Sequence, residues 1–434
     1  MQIKNFVKIE YFTAFELTKH EGAHSRLNFS ASIAEDAAEI CLNCSGKTIS
    51  VAADDNAPIF FGRVESVEVE NLFGAVRVHV SCVSLSILAD ENSRTRLFHN
   101  PDKKISDVLS TARLSLESGI LKISPDFAVL KYSPVVLQNQ ETNFKFIARL
   151  AENFGRRLWV VDTKQPADFL IDSCVEKSAR KIDRNQIISM RRAKNSLTIA
   201  TQNFLTLGQT VTIEGDAREM VIVGLRVSLE HETFIYRYEL AESKLDPLKI
   251  PNAPFPAKTV KLHAKVKSAK DPKNLGRLQL SFDDKFLEDM DAQKPLWIPY
   301  RAPYTGKNGG VVFIPDEGDA VEVFFTNEEV YCAAALRENP LAEECKNVAE
   351  KFIGNNFKQR IFWREKSLEL HSGDYKILMN EKGIELVAGE NSIALSEQGI
   401  LLKTNGSQIS LAKDAANVKA GGTLKLAGMK IELC

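Results

Sequence analysis

The sequence has few cysteines, no long apolar run and no excess of charge of either sign. Its 56 Lys and Arg residues nearly cancel its 57 Asp and Glu residues, which excludes a global basic field for nucleic acid and an acidic tail for a cationic partner. Seven scattered cysteines do not form the framework of a disulfide-rich secreted domain. No segment approaches transmembrane length, and Lys, Glu and Thr interrupt the apolar residues of the N-terminal segment, which excludes a signal-peptide core. We therefore expect synthesis in the cytosol.

The sequence also lacks the side-chain combinations on which catalysis depends. Catalysis needs convergent groups, such as a nucleophile beside a base or a pair of carboxylates. His263 lies in the lysine-rich segment LHAKVKSAK, with no Ser or Cys at a useful spacing. We predict that the protein is not an enzyme, and we predict no catalytic, cofactor-binding or metal-binding residues.

Cys41 and Cys44 form a single C-x-x-C motif, with His20 and His24 upstream. Together these residues could form a His2Cys2 zinc site. The surrounding segment, AAEICLNCSGKTISVAAD, indicates extended structure, in which a separation of three places the two sulfurs on opposite strand faces. We therefore interpret the cysteines as small, half-buried side chains, with the zinc site as the alternative.

Two charged segments leave a binding role open. The acidic segment 283–291 (DDKFLEDMD) could hold a hard cation such as Ca²⁺, although we interpret it as a solvated loop at a barrel rim. A lysine cluster on a β-rich segment could bind oligonucleotides, but no aromatic residue alternates with these lysines to stack on bases, and the next aromatic is Phe282. We expect no nucleic-acid partner. The cluster comprises Lys258, Lys261, Lys265, Lys267, Lys270 and Lys273.

The C-terminal stretch repeats with a period of 16 residues. Residues 373–388, GDYKILMNEKGIELVA, align with 389–404, GENSIALSEQGILLKT, so that glycines and apolar residues coincide. Each unit has two apolar pairs spaced i, i+2, and this spacing places both members of a pair on one face of a strand. A fixed period is typical of a supersecondary unit stacked into one continuous core. Each half-unit is therefore predicted to be one short strand and one turn.

A single copy of this array would expose an apolar face and open edges, which is marginal in water. Three copies wound around a common axis would bury every pair, so we predict that 357–434 is one chain's share of a triple-stranded β-helix. The alternative is a single-chain β-solenoid, for which the coil is short. His371 follows the inward-facing Leu370 and is predicted to point outward. The predicted trimer core comprises Ile361, Leu368, Leu370, Ile377, Met379, Ile384, Leu386, Ile393, Leu395, Ile400, Leu402, Ile409, Leu411, Leu424, Leu426, Ile431 and Leu433.

The rest of the chain divides at a proline-rich linker. Residues 246–257, DPLKIPNAPFPA, contain four prolines and indicate an extended domain boundary. Upstream, a β-rich region has helices predicted at Ser106–Leu114 and Asn143–Asn153, the second with apolar residues at helical spacing. Downstream, five or six short strands predict a small barrel such as an OB-fold. These strands are expected at Thr259–Ser268, Gly276–Phe282, Leu296–Pro299, Gly310–Ile314, Asp319–Phe325 and Tyr331–Leu336.

Four stretches of this small barrel share order and spacing with a known pattern: a G-R-hydrophobic strand, a W-hydrophobic-hydrophobic strand, F-I-P, and G-D-hydrophobic-V-x-V. They are NLGRL at 274–278, LWIP at 296–299, GGVVFIP at 309–315 and EGDAVEVFF at 317–325. The chain thereby resembles VgrG-type spike proteins of type VI secretion and the baseplate spikes of contractile phage tails. Weaker matches lie upstream, at Arg96–Asn100, at Phe144–Glu152 with Gly155, and at Gly208–Gly215.

The resemblance runs from about residue 50 to the C-terminus and implies a mainly β fold. It implies an α+β hub with β-barrel subdomains at 1–250, an OB-fold collar at 258–336 and a β-helical needle at 357–434, which a homotrimer forms. Such a spike links the tail tube to a needle that pierces a membrane when a sheath contracts. The segment 337–356 is too short for the lysozyme domain that some phage relatives carry. No His-x-His motif for an iron tip occurs. The chain stops inside the last repeat, so no effector domain is expected.

The resemblance also implies partners and a location. The partners are an Hcp-like tube hexamer, baseplate proteins, transiently the target-cell membrane, and a PAAR-like tip protein. Ile431, Glu432, Leu433 and Cys434 are the expected tip-binding residues. The spike would assemble in the cytoplasm and then be ejected to the extracellular space or into a target cell. The alternative is a phage-like tail hub or needle whose collar recognises a surface polysaccharide or nucleic acid.

Overall fold

The protein is described from a computed structural model. The structure describes every residue except 54–55, 73–74, 115–118, 133–134, 173–178, 194–195, 243–257, 283–284, 307–308, 327–328, 337–346, 348 and 430–434. It divides into two compact units, Met1–Leu336 and Arg337–Cys434, and each is described by itself. Both are mainly β, as the sequence predicts. The predicted linker 246–257 lies outside the described residues.

The first half of unit one combines long strands with short helices. Its strands are β1 (Gln2–Lys4), β2 (Ile9–His20), β3 (Arg26–Ile33), β4 (Thr48–Ala52), β5 (Pro58–Leu72), β6 (Ala75–Ser84), β7 (Ser93–Phe98), β8 (Leu121–Ile123), β9 (Val136–Thr142), β10 (Leu158–Val161) and β11 (Asp168–Ile171). Its helices are α1 (Ala38–Leu42), α2 (Ile105–Leu114), α3 (Pro125–Ala128) and α4 (Asn143–Asn153), with 3₁₀ turns at Glu35–Ala37 and Leu85–Asp90.

The second half of unit one is almost entirely β. Its strands are β12 (Arg180–Ile182), β13 (Ile187–Arg192), β14 (Leu197–Thr201), β15 (Thr210–Ile213), β16 (Asp216–Glu230), β17 (Thr233–Glu242), β18 (Val260–Ser268), β19 (Arg277–Ser281), β20 (Leu287–Asp289), β21 (Trp297–Pro299), β22 (Thr305–Gly306), β23 (Gly309–Gly310), β24 (Ala320–Phe325) and β25 (Val330–Leu336). A third 3₁₀ turn covers Arg184–Gln186.

A 12-stranded sheet forms the main body of the hub, in the order β1-β4-β5-β6-β3-β2-β16-β17-β14-β13, with β15 paired to β16 and β12 paired to β15. Its strands alternate buried and less buried residues, as period-two patterning requires. On β6, for example, Val76, Val78, Val80 and Cys82 are buried while the residues between them are half-buried. The buried side chains of both halves of the sheet belong to one hydrophobic core.

Helices α2 and α4 pack in a second hub core. The α4 sequence begins at a Thr142 cap whose hydroxyl accepts a hydrogen bond from the Lys145 amide at 3.3 Å. It ends before Gly155, which has φ +63°, a conformation that favours glycine. Between these ends Phe144, Ile147 and other apolar residues at helical spacing are buried, so this helix lies where the sequence predicts it.

The collar is a five-stranded antiparallel sheet in the order β21-β19-β18-β24-β25. Five of the six predicted strands are present with shifted ends. The prediction of a strand at Gly310–Ile314 is wrong, because only Gly309–Gly310 pairs, with Thr305–Gly306, and Val312 and Phe313 are exposed in the loop that follows. A short apolar run of this kind predicts a strand, but an exposed loop can also contain one.

Unit two is a nine-stranded antiparallel meander in which each strand pairs with the next. Its strands are β26 (Lys351–Gly354), β27 (Gln359–Trp363), β28 (Ser367–Ser372), β29 (Tyr375–Asn380), β30 (Gly383–Ala388), β31 (Asn391–Ser396), β32 (Gly399–Thr404), β33 (Ser407–Ala412) and β34 (Ala415–Lys419). One 16-residue repeat is therefore one hairpin plus the turn to the next. A solenoid would stack its coils in parallel, whereas every strand pair described in this sheet is antiparallel.

Candidate functional site

One face of the unit-two sheet is an apolar stripe two residues wide, made by the predicted core positions between Ile361 and Leu411. Ile393 lies opposite Leu386 on one neighbouring strand and Leu402 on the other, and this pattern repeats along the sheet. From Leu370 onward these side chains remain partly exposed, with Leu402 at 37% and Leu411 at 44%. In a protein interior such residues are almost fully buried. The stripe therefore lacks a covering layer within the described chain.

The repeating glycines have a steric cause. Gly383 and Gly399 open successive hairpins with φ of +139° and +129°, which other residues rarely adopt. A Cβ on Gly383 would lie 1.9 Å from the carbonyl oxygen of Leu395, and one on Gly399 would lie 1.9 Å from that of Leu411. The glycines thus allow the close approach of neighbouring strands that keeps the stripe in register.

The predicted core list differs from the structure at its distal end. Leu424 and Leu426 follow the last strand, lie in residues without a strand, and are 52% and 65% exposed. Ala416 lies opposite Leu411 and Val418 lies opposite Ile409, so β34 adds a further apolar pair to the stripe. Sequence reasoning missed these two because alanine and valine are small. Ile431, Glu432, Leu433 and Cys434 lie outside the described residues.

The opposite face of the same sheet holds an ion-pair cluster around Glu369, which is only 7% exposed. Its carboxylate accepts a hydrogen bond from Ser367 at 2.9 Å and lies 2.7 Å from Nε2 of His371 and 3.3 Å from Nζ of Lys376. Arg364 lies 3.3 Å from the same carboxylate and also pairs with Glu350. His371 thus lies on the face opposite Leu370, as predicted.

Acid is expected to weaken this cluster over a defined pH range. Burial alone raises the pKa of Glu369, but hydrogen bonds from His371, Ser367 and Lys376 outweigh it and lower the pKa from 4.5 to about 2. Because the folded pKa lies below the unfolded one, the stabilisation is complete above about pH 4.5 and is lost as the pH falls towards about 2. The free energy of unfolding, measured in urea, should fall less between pH 7 and pH 3 for Glu369→Gln than for the wild type. Glu385→Gln, further along the same face, is the matched control and should behave like wild type.

A three-stranded sheet in the order β20-β7-β9 joins the hub to the collar within unit one. β20 belongs to the collar segment and pairs in parallel with the hub strand β7, with Glu288 opposite Arg96. The hub residues Leu97, Val135 and Leu137 are buried in the collar's hydrophobic core. The collar core is therefore completed by side chains from the hub.

The acidic segment that we interpreted as a solvated loop is part of this joint. The side chain of Asp291 is 3% exposed, and its Oδ2 accepts hydrogen bonds from the backbone amides of His99 at 2.9 Å and Asn100 at 3.1 Å. Nζ of Lys103 lies 2.5 Å from its other oxygen, and Nε2 of His99 lies 2.9 Å from Asp289. Hydrogen-bond donors rather than a cation thus satisfy these carboxylates, so the solvated-loop interpretation is wrong for Asp289 and Asp291. Residues 283–284 lie outside the described part.

The NLGRL segment owes its shape to a buried carboxylate upstream. Asp271 accepts hydrogen bonds from the backbone amides of Lys273 at 3.0 Å and Leu275 at 2.9 Å, and it pairs with the Arg277 guanidinium at 2.7 Å. These bonds to Arg277 hold the pKa of Asp271 well below its usual range. Arg277 also lies over the ring of Trp297, 5.9 Å from its centroid. The structure therefore brings the G-R and W motifs together.

The described residues of the hub include serine–histidine–carboxylate arrangements. In a partly exposed one, Ser30 Oγ lies 2.7 Å from His79 Nδ1, and His79 Nε2 lies 3.2 Å from Glu70. Another is more deeply buried. His24 Nδ1 lies 2.7 Å from the Ser86 hydroxyl, and Nε2 lies 3.5 Å from Asp90. Burial lowers the pKa of His24, and Ser86 is fully buried. A substrate therefore has no access to the Ser86 hydroxyl.

The cysteine pair differs from the sequence interpretation. Cys41 lies in α1 rather than in a strand, and Cys44 lies in the turn after it, where its thiol donates to the Ile40 carbonyl at 3.2 Å. Both cysteines are buried rather than half-buried, and burial raises the pKa of Cys41 to about 11. His20 ends β2, while His24 contacts Ser86, and no group of metal-ligating residues is found among the residues described.

The lysines of the collar line up on one exposed side of β18. Lys261, Lys265 and Lys267 alternate with more buried residues, and Lys261 pairs with Glu322 at 2.7 Å. The sheet places Phe324 directly opposite Lys261, which the linear sequence concealed. Phe324 stacks on Tyr331, and Arg301 covers that ring at 3.6 Å, so this pair is already engaged. The absence of a nucleic-acid partner stays a prediction.

Residues 262–336 match the family of type VI secretion system and phage-baseplate injector OB domains. This segment therefore has an OB fold. It includes the collar strands from β18 to β25 and the acidic strand β20. No curated protein is significantly similar in sequence to the chain.

Solved structures extend the likeness beyond the collar. The E. coli c3393 protein, described as a component of the type VI secretion system with structural similarity to the T4 bacteriophage tail proteins gp27 and gp5, has a TM-score of 0.55 and 13% identity over 77% of this chain and 99% of its own. The lidless PdpA–VgrG complex has a TM-score of 0.51 and 8% identity over 95% of this chain and 94% of its own. The half-lidded Francisella complex has a TM-score of 0.50 and 8% identity over 94% and 83%. The chain has the fold of these spike proteins, and the resemblance seen in the sequence is confirmed.

Proposed function

We propose that the protein is the homotrimeric central spike of a contractile injection system, most similar to a compact VgrG of type VI secretion. The observation that supports this is the uncovered apolar stripe, which sixteen-residue repeats hold in register along the seven strands from β27 to β33. Burying the exposed part of each stripe side chain would contribute on the order of 1 kcal/mol to the stability of the assembly, and each of the three chains contributes its own stripe. Two further copies of the same stripe are the cover that matches it in length and spacing.

The role is mechanical rather than catalytic. The hub would dock on an Hcp-like tube hexamer, the collar would connect it to the needle, and the needle would cross the target membrane when the sheath contracts. The spike would assemble in the cytoplasm with baseplate proteins and leave the cell on firing. No helix in the described part of the chain is both long and apolar enough to cross a bilayer.

The role is tested in a host that encodes the matching sheath and tube. Deleting the gene is expected to abolish sheath assembly and export of the tube protein. The full-length gene should restore both, whereas a gene truncated after residue 350 should not. Normal sheath assembly and export in the deletion strain would overturn the proposal.

The distal end of the needle is proposed to bind a PAAR-like tip protein rather than a metal. This part of the proposal rests on the sequence alone: in period-two alternation Cys434 falls in the opposite phase to Ile431 and Leu433, which argues against a shared thiolate site. Deleting Lys430–Cys434 is expected to abolish co-purification of the tip protein while leaving the assembly state unchanged. Retained co-purification would refute the docking site. A metal that is lost in Cys434→Ser would refute the metal-free tip.

A further inference from the structure

We propose that Leu287–Asp291 is a latch that makes the hub and the collar one mechanical body. The non-covalent contacts of this segment, and not the chain connection through residues 243–257, would then hold the two parts together. The value of this latch for injection rests on the proposed spike role, but its existence does not. Three kinds of contact, all within unit one, join this segment to the hub.

The first is backbone pairing. Leu287, Glu288 and Asp289 pair in parallel with Thr95, Arg96 and Leu97 of the hub strand β7. The Met290 amide continues the ladder by donating to the Leu97 carbonyl at 3.0 Å. Withdrawing the segment would therefore leave a row of backbone groups to be satisfied by water.

The second is an exchange of apolar side chains. Leu287 packs against the collar core, while Met290, three residues later, packs against the hub core with α2 and α4. In return the hub supplies Leu97, Val135 and Leu137 to the collar core. Separating the two parts would expose apolar surface on both.

The third is a set of buried polar contacts. The Asp291 carboxylate accepts from two hub backbone amides and pairs with Lys103, and His99, whose side chain is 1% exposed, pairs with Asp289. Removing the Asp291 carboxylate would leave the two amides and Lys103 without their acceptor in a buried site, and removing one member of such a set costs far more than removing an exposed pair. Glu288, by contrast, is 44% exposed where it meets Arg96.

The test is to insert a specific protease site between residues 246 and 257 of the full-length protein, cleave it completely and measure whether the two fragments separate. We expect the wild-type fragments to co-elute on gel filtration in 0.5 M salt. Asp291→Ala should weaken their association at least about 30-fold. Asp291→Asn, which keeps the shape and one acceptor, should weaken it less. Glu317→Gln is the matched control, because Glu317 is exposed in the collar with Ser268 as its hydrogen-bond partner, and it should leave the association nearly unchanged.

Two results would overturn the latch. One is separation of the wild-type fragments at micromolar concentration. The other is equal association of the wild-type and Asp291→Ala fragments, with Asp291→Asn also unchanged, which would place the interaction elsewhere. Neither result bears on the trimer, because the mass of the uncut protein reports that separately.

Discussion

Ile393→Asp is expected to prevent assembly of the trimer. Ile393 lies in the middle of the apolar stripe, between Leu386 and Leu402, and in a trimer three copies would meet at one level of the axis. Three carboxylates there would lack both water and counter-charges, at a cost of roughly 3 kcal/mol or more per chain. Light scattering should show loss of the trimer mass, and thermal unfolding should begin at a much lower temperature.

Ser392→Asp is the matched control for this substitution. Ser392 is the preceding residue of the same strand, on the other face, where it pairs with Val387 and lies opposite Lys403. Ser392 is half-buried, and a carboxylate there would lie beside the opposite charge of Lys403, so the change in stability should stay below about 1 kcal/mol. Equal effects of the two substitutions would mean that the stripe is not the trimer interface.

Leu97→Ala is expected to loosen the collar although Leu97 belongs to the hub. The side chain is fully buried in the collar core, and truncating such a leucine typically costs about 2–5 kcal/mol. Hydrogen exchange followed by mass spectrometry should show faster exchange in the collar strands Val260–Ser268 and Ala320–Phe325, as well as in the hub strand β7.

The control for this experiment is Leu88→Ala, because Leu88 is another hub leucine but is 36% exposed. Leu88→Ala should leave the rate of hydrogen exchange in the collar strands nearly unchanged. Faster exchange confined to the hub in Leu97→Ala would show that the collar folds independently, contrary to the shared core.

The sequence predicts the parts of the fold that depend on local patterns. The 16-residue repeat identifies the strands of unit two, because apolar residues at i, i+2 determine one face whatever covers it. Helix α4 is predicted with both ends correct, since Asn143 follows a threonine cap and Gly155 stops it. The collar motifs come together because the Arg277 guanidinium, which Asp271 holds, lies over the ring of Trp297.

Contacts between distant segments could not be predicted in the same way. The sequence analysis identifies both the motif Arg96–Asn100 and the acidic segment that ends at Asp291. A linear pattern does not show that they meet, because His99 and Asp289 are 190 positions apart. The strand at Gly310–Ile314 failed because an apolar run does not by itself distinguish a strand from an exposed loop. The sequence does not predict helix α1, because its five residues are too few to show a helical period.

The central claim is that three chains share one core through the apolar stripe, and the mass of the purified protein tests it most directly. The chain has a mass of 48.4 kDa, so multi-angle light scattering at micromolar concentration should return three times that value. Truncation after residue 350 removes the stripe and should lower the mass or make it concentration-dependent. A stable mass of 48.4 kDa for the full-length protein would contradict the account.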